Sequence, residues 1–190
     1  MANEKAIKEI KLVLEKVNEA YIENEPSEIY SFMRKFFTEE EDSLIIGSTF
    51  KEWKRGRDEA RKIILDHWKD KGNWSFNHED AQINVHGEIA WVSMTGDFRV
   101  QISSVFLEDM LSLQIKSAID DKKLSSEEKM WKIIQNASFY LRENKKGDEY
   151  FYPFRFTGVL IKKNSKWLFH QMHFSVPNLS GTFPAVRIFD

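Results

Sequence analysis

Lys166-Trp167-Leu168-Phe169-His170-Gln171-Met172-His173-Phe174-Ser175-Val176-Pro177 is dense in ring and aliphatic residues and stops at a proline, which reads as a β-strand over 166–176. The polar tip Lys163-Asn164-Ser165 joins it by a tight turn to an equally ring-rich run over 149–162, so the two form a hairpin. Working back along the chain, period two returns at Trp74, Phe76, Ile83 and Val85. His86-Gly87-Glu88 then turns into a long strand over 89–102.

The first part of the chain follows a different period. Ile7, Ile10, Leu14, Val17 and Tyr21 recur at steps of three and four, the mark of an amphipathic helix, with Asn3 placed to cap it. Pro26 and Ser27 open a second helix through Tyr30, Met33 and Phe37. A brief buried strand over 43–47 ends at Gly47. A third helix follows Gly56, with Asp58 as its cap and Ala60, Ile63, Ile64, His67 and Trp68 on its buried face. Residues 106–146 interrupt the strands with a helical pattern, and Ser125 and Glu128 have capping-box spacing for its second helix. Helices first and an antiparallel sheet afterwards is the α+β order, with three N-terminal helices on a curved, mainly antiparallel sheet and a helical insertion, all in one domain over 1–190.

Composition narrows the function. The 190 residues carry 28 Lys and Arg against 30 Asp and Glu, a formal charge of −2, which does not suit an electrostatic nucleic-acid binder. There is no cysteine, which excludes a disulfide framework, a thiol nucleophile and cysteine-ligated metal. Lys5, Lys8, Glu4 and Glu9 interrupt the N-terminal apolar positions, so no signal-peptide core is expected there. No apolar run reaches the roughly 20 residues of a membrane span. A cytoplasmic location is the resulting expectation. No phosphate-cradling glycine spacing and no G-x-S-x-G is present, so no nucleotide cofactor or serine-hydrolase elbow is expected. His170 and His173 have H-x-x-H spacing, but an offset of three on a strand points to opposite faces, and no metal site is expected.

Three stretches carry a family resemblance: 44–49 with Trp53, Gly56 and Asp58; 87–92; and 166–177. Together they resemble the SnoaL-like branch of the nuclear transport factor 2-like superfamily. The resemblance implies a cone-shaped, cystatin-like fold with a small-molecule pocket on its concave face, and a homodimer through the convex face. The superfamily holds isomerases, dehydratases, epoxide hydrolases and cyclases beside non-enzymatic association domains, so enzyme and non-catalytic binding or assembly module both stay open.

A two-residue tip at Asn164-Ser165 places Gly158 opposite Gln171, Phe156 opposite His173 and Phe154 opposite Ser175. Comparison with the association domains of the superfamily implies that this face is concave. On the strand over 89–102 it implies that Trp91, Ser93, Thr95, Asp97 and Arg99 face the same pocket. His173 is then the candidate general acid or base, with Asp97 and Arg99 positioning or polarising a substrate. Tyr30, Trp53, Trp91, Ser93, Thr95, Phe154, Phe156, Gln171 and Ser175 complete the candidate ligand wall. The steroid isomerases of the superfamily use a carboxylate at the end of the first short strand and a tyrosine in the first helix. Leu44-Ile45-Ile46 lacks the acid, and Tyr21 falls near the helix end. The expected partner is a small, largely apolar molecule, and the expected chemistry is cofactor-free proton transfer of lyase, isomerase or cyclase type.

Overall fold

The computed structural model describes residues 2–47, 52–69, 72–101, 104–143 and 149–176. They group into two compact units, one of Met1–Phe98 with Tyr152–Asp190 and one of Arg99–Phe151.

In the first unit, α1 (Ala2–Glu23) buries Ile10, Leu14, Val17 and Tyr21, the stripe expected from its spacing. Asn3 lies inside this helix and does not cap it. The helix ends at Asn24, which takes a left-handed φ of 38° and donates its N–H to the Ala20 carbonyl at 3.0 Å. A short 3-10 turn at Pro26–Glu28 leads into α2 (Ile29–Phe36). β1 (Leu44–Ile46) follows. Trp53 lies in a further strand, β2 (Trp53–Arg55), that the sequence analysis does not predict. α3 (Arg57–Lys69) starts one residue before Asp58, which sits in its first turn. Then come β3 (Asn73–Phe76), β4 (Gln82–His86), β5 (Ile89–Gln101), whose last three residues belong to the second unit, β6 (Glu149–Lys163), whose first three do, and β7 (Lys166–Ser175). Ile102 and residues 177–190 lie outside the described residues.

The sheet is mixed, in the order β2-β1-β7-β6-β5-β3 with β4 paired to β5. β1 runs parallel to β7, and β2 pairs antiparallel to β1. Asn164 and Ser165 both take positive φ, 47° and 64°, which makes the β6–β7 connection the two-residue hairpin that the sequence predicts.

The register beyond the tip departs from expectation. Leu160 pairs with Phe169, but Val159 pairs with Gln171, so a β-bulge leaves His170 as the extra residue. From there Gly158 pairs with Met172, Thr157 with His173, Phe156 with Phe174 and Arg155 with Ser175. Phe154, Phe156, Gly158, Leu160, Met172 and Phe174 are buried on the face covered by α1, α2 and α3, here called the inner face. Gln171, His173 and Ser175 stand on the outer face, because the bulge exchanged the two faces of β7. The inner row Lys54, Ile45, Met172, Gly158 thus alternates with the outer row Trp53, Ile46, His173, Thr157 across four strands.

In the second unit, α4 (Ser104–Asp120) packs on α5 (Ser126–Glu143). The capping box is formed as predicted. Ser125 Oγ accepts the Glu128 N–H at 3.2 Å, and the Glu128 carboxylate accepts the Ser125 N–H at 2.8 Å.

Candidate functional site

On β5 the buried residues are Ala90, Val92, Met94 and Gly96, so alternation puts the inner face there. Trp91, Ser93, Thr95, Asp97 and Arg99, expected in the pocket, share the opposite parity. Trp91 and Thr95 are exposed, Thr95 accepting a hydrogen bond from the Asn77 amide at 2.6 Å, and Asp97 is buried while Arg99 is exposed. Tyr30 is 57% exposed, with the Arg61 guanidinium 4.4 Å from its ring centre, and Trp53 is 58% exposed on β2. Of the residues proposed as ligand wall, Phe154 and Phe156 are the ones on the inner face with the helices. His170 Nδ1 lies 3.3 Å from Thr38 Oγ1, and its Nε2 lies 3.9 Å from Asp42, at the outer margin of the bulge.

The inner face instead gathers residues whose polar tips the sequence reading left in the core. Tyr21, at the end of the α1 stripe, meets Phe76 at 5.0 Å between ring centres, Trp68 at 5.9 Å, Phe32 at 6.0 Å and His67 at 6.3 Å. Phe174 and Phe154 close the sheet side of the cluster. His67 and Trp68 are adjacent in α3, and both are buried. Three polar atoms of this cluster have no hydrogen-bond partner among the described residues: Tyr21 Oη, His67 Nδ1 and Trp68 Nε1. Nearby, Asn18 Oδ1 accepts the Phe76 N–H at 2.8 Å in a buried bond.

Burial sets the charge state. Removal from water disfavours imidazolium and lowers His67 to a pKa of about 4, and the same desolvation raises the Tyr21 phenol. Both side chains are therefore neutral at physiological pH. The arrangement offers an indole N–H donor, a phenol that donates or accepts, and an imidazole nitrogen, all set in aromatic walls.

A signal for this site exists in the sequence. Tyr21, His67 and Trp68 are the polar-tipped members of otherwise aliphatic stripes, and such residues normally find a partner when buried. Among the described residues no cluster of three or more His, Asp or Glu is placed to hold a metal ion, and no helix is long and apolar enough to cross a membrane.

The family model for the SnoaL-like domain matches residues 14–111, more than half of the chain. The chain belongs to the SnoaL-like family. No curated protein sequence matches this SnoaL-like chain. Among solved structures it is similar to a nuclear transport factor 2-like superfamily protein from Salmonella enterica serovar Typhimurium, with 13% identity, TM-score 0.59, and coverage of 96% of this chain and 98% of that one. It is also similar to a "putative dehydratase from the NTF2-like family" of Streptomyces avermitilis, with 11% identity, TM-score 0.58, and coverage of 93% and 99%. An uncharacterized protein with a cystatin-like fold from Caulobacter vibrioides aligns at 12% identity and TM-score 0.53, over 95% and 97%. At these identities the likeness establishes the α+β NTF2-like fold.

Proposed function

We propose that this SnoaL-like protein binds a small, uncharged, largely apolar molecule among the rings of the inner face. The observation that carries the reading is that one aromatic cluster holds Tyr21 Oη, His67 Nδ1 and Trp68 Nε1, all buried and without partners among the described residues. A buried polar atom left unsatisfied costs about 1–3 kcal/mol, so three of them in one cluster of rings favour a molecule that carries complementary polar atoms. Trp68 Nε1–H is a donor only, so that molecule presents at least one acceptor such as a carbonyl or hydroxyl oxygen.

Cofactor-free proton transfer of lyase, isomerase or cyclase type follows from the same site. A neutral imidazole and a neutral phenol facing one ligand supply a proton acceptor and a proton donor. The description of one structural neighbour as a dehydratase accords with such chemistry.

A second reading, a homodimer or assembly module, is favoured by the exposed Trp53, Ile89 and Trp91, which share no burial with the helix-covered face.

Native mass spectrometry of the purified protein, with denaturing release of whatever is bound, tests both. A stoichiometric small molecule supports the binding reading. A clean, ligand-free higher oligomer transfers the weight to assembly.

A further inference from the structure

The rings around Tyr21 differ in one respect. Phe32, His67, Trp68, Phe76 and Phe174 are all buried, whereas Trp74, 6.2 Å from Tyr21 between ring centres, is half-buried. Trp74 therefore touches both the solvent side and the polar cluster. Its indole stacks on the His67 imidazole with centres 4.6 Å apart and planes at 24°. Its Nε1–H donates to the His67 carbonyl at 3.2 Å, and the half-buried Phe98 ring lies 4.9 Å from it between centres. One neutral hydrogen bond and ring contacts hold the indole, so rotation about its side-chain torsions moves it while β3 keeps its ladder.

Resting on the ligand-binding reading above, we infer that Trp74 is the access-determining residue of the inner site, the ring that turns off the His67 imidazole to admit a ligand to His67, Tyr21 and Trp68. What the indole uncovers when it turns is the imidazole face on which it stacks, a slab beside Phe174, whose ring centre lies 5.1 Å from the imidazole. Such a slab admits flat, uncharged rings in preference to branched or charged molecules.

The test is carbethoxylation by diethyl pyrocarbonate, which labels neutral imidazole, on the intact protein, with each histidine read by peptide mass spectrometry. His86 on β4 is exposed and serves as the internal reference. The expected result is slow labelling of His67 in the unmodified protein and a rise on the order of tenfold in Trp74→Ala, with His86 unchanged. Trp74→Leu keeps apolar bulk without the stack or the N–H, and shows the same direction should the alanine variant fail to fold. Gly158→Ala, which strains the sheet away from the indole, leaves the His67 rate at the unmodified level, so general loosening is told apart from opening. An unchanged His67 rate in a folded Trp74→Leu variant overturns the access role, as does His67 labelling as fast as His86 in the unmodified protein. Either failure stands apart from the binding reading, which is decided by whether native mass spectrometry finds a bound molecule.

Discussion

The side chain of Asn18 in α1 accepts the backbone N–H of Phe76 in β3 at 2.8 Å, a buried bond between residues 58 positions apart. It pins the first helix to the strand that carries Trp74 and Phe76, and so fixes Tyr21, one helical turn on, against the sheet. Asn18→Ala leaves that N–H buried without its acceptor. The expected loss is about 1–3 kcal/mol of unfolding free energy, read by urea denaturation with an unchanged m-value. A change of a few tenths of a kcal/mol would mean that the bond is not what anchors α1.

His67 gives stability a pH dependence of defined sign. Its folded pKa of about 4 lies below the ordinary 6.5 because burial disfavours the charged ring. The unfolded chain therefore binds the proton more readily, and the contribution is complete above about pH 6.5 and lost as pH falls toward 4. Between about pH 7.5 and pH 5 this single group removes about 2 kcal/mol, an order-of-magnitude figure. His67→Gln should flatten that part of the profile. A profile that keeps its full slope in the variant would assign the effect to other groups.

The fold was legible because period and punctuation agreed. The α1 stripe, the glycine and proline boundaries and the Asn164-Ser165 tip each specify one element, and the capping box at Ser125 and Glu128 formed as its spacing requires. The site was less legible, because strand faces depend on parity and one extra residue reverses parity. The trace of the bulge is nonetheless present. Trp167 and Phe169 share one parity, Met172 and Phe174 the other, so the apolar set changes face across His170-Gln171. Alternation counted from the turn alone carried His173 inward and hid that change. On β5 the comparison with the association domains put Asp97 on the pocket face, whereas the apolar run Ala90, Val92, Met94 marks the inner face directly.

The ring of Phe169 lies against Gly158, where an added methyl group would sit 2.7 Å from a ring carbon. Gly158→Ala should therefore destabilise by about 1–3 kcal/mol through overpacking. Phe169→Leu combined with it should recover part of that loss, since the smaller side chain makes room. Additive losses in the double variant would place the strain elsewhere.

Ser125→Ala removes the acceptor of the Glu128 N–H at the start of α5. Hydrogen exchange should quicken in the first turn of α5, with a local cost of about 0.5–2 kcal/mol. Glu128, whose pKa is lowered first by the bond from the Ser125 backbone N–H and next by the Ser125 side chain, should titrate closer to its ordinary value in the variant while staying below it as long as the backbone bond holds. A variant that fails to quicken exchange there would show that packing on α4 alone holds the turn.

Tyr21 and His173 separate the inner-face site from the outer face most sharply. Tyr21→Phe deletes one oxygen that is buried without a partner among the described residues, so the ligand-free protein should become more stable by about 1 kcal/mol. The same change should weaken binding of the released molecule by up to about tenfold, because the ligand then loses a neutral hydrogen bond. Stability and affinity thus move in opposite directions, a split that a purely structural tyrosine does not produce. His173→Ala, on the outer face opposite Thr157, should leave both quantities where they are. Calorimetric melting of ligand-free protein and titration of the recovered ligand measure the two. Loss of affinity in the His173 variant with none in the Tyr21 variant would return the site to the outer face of the sheet, where Trp53, Ile46 and Thr157 share its row.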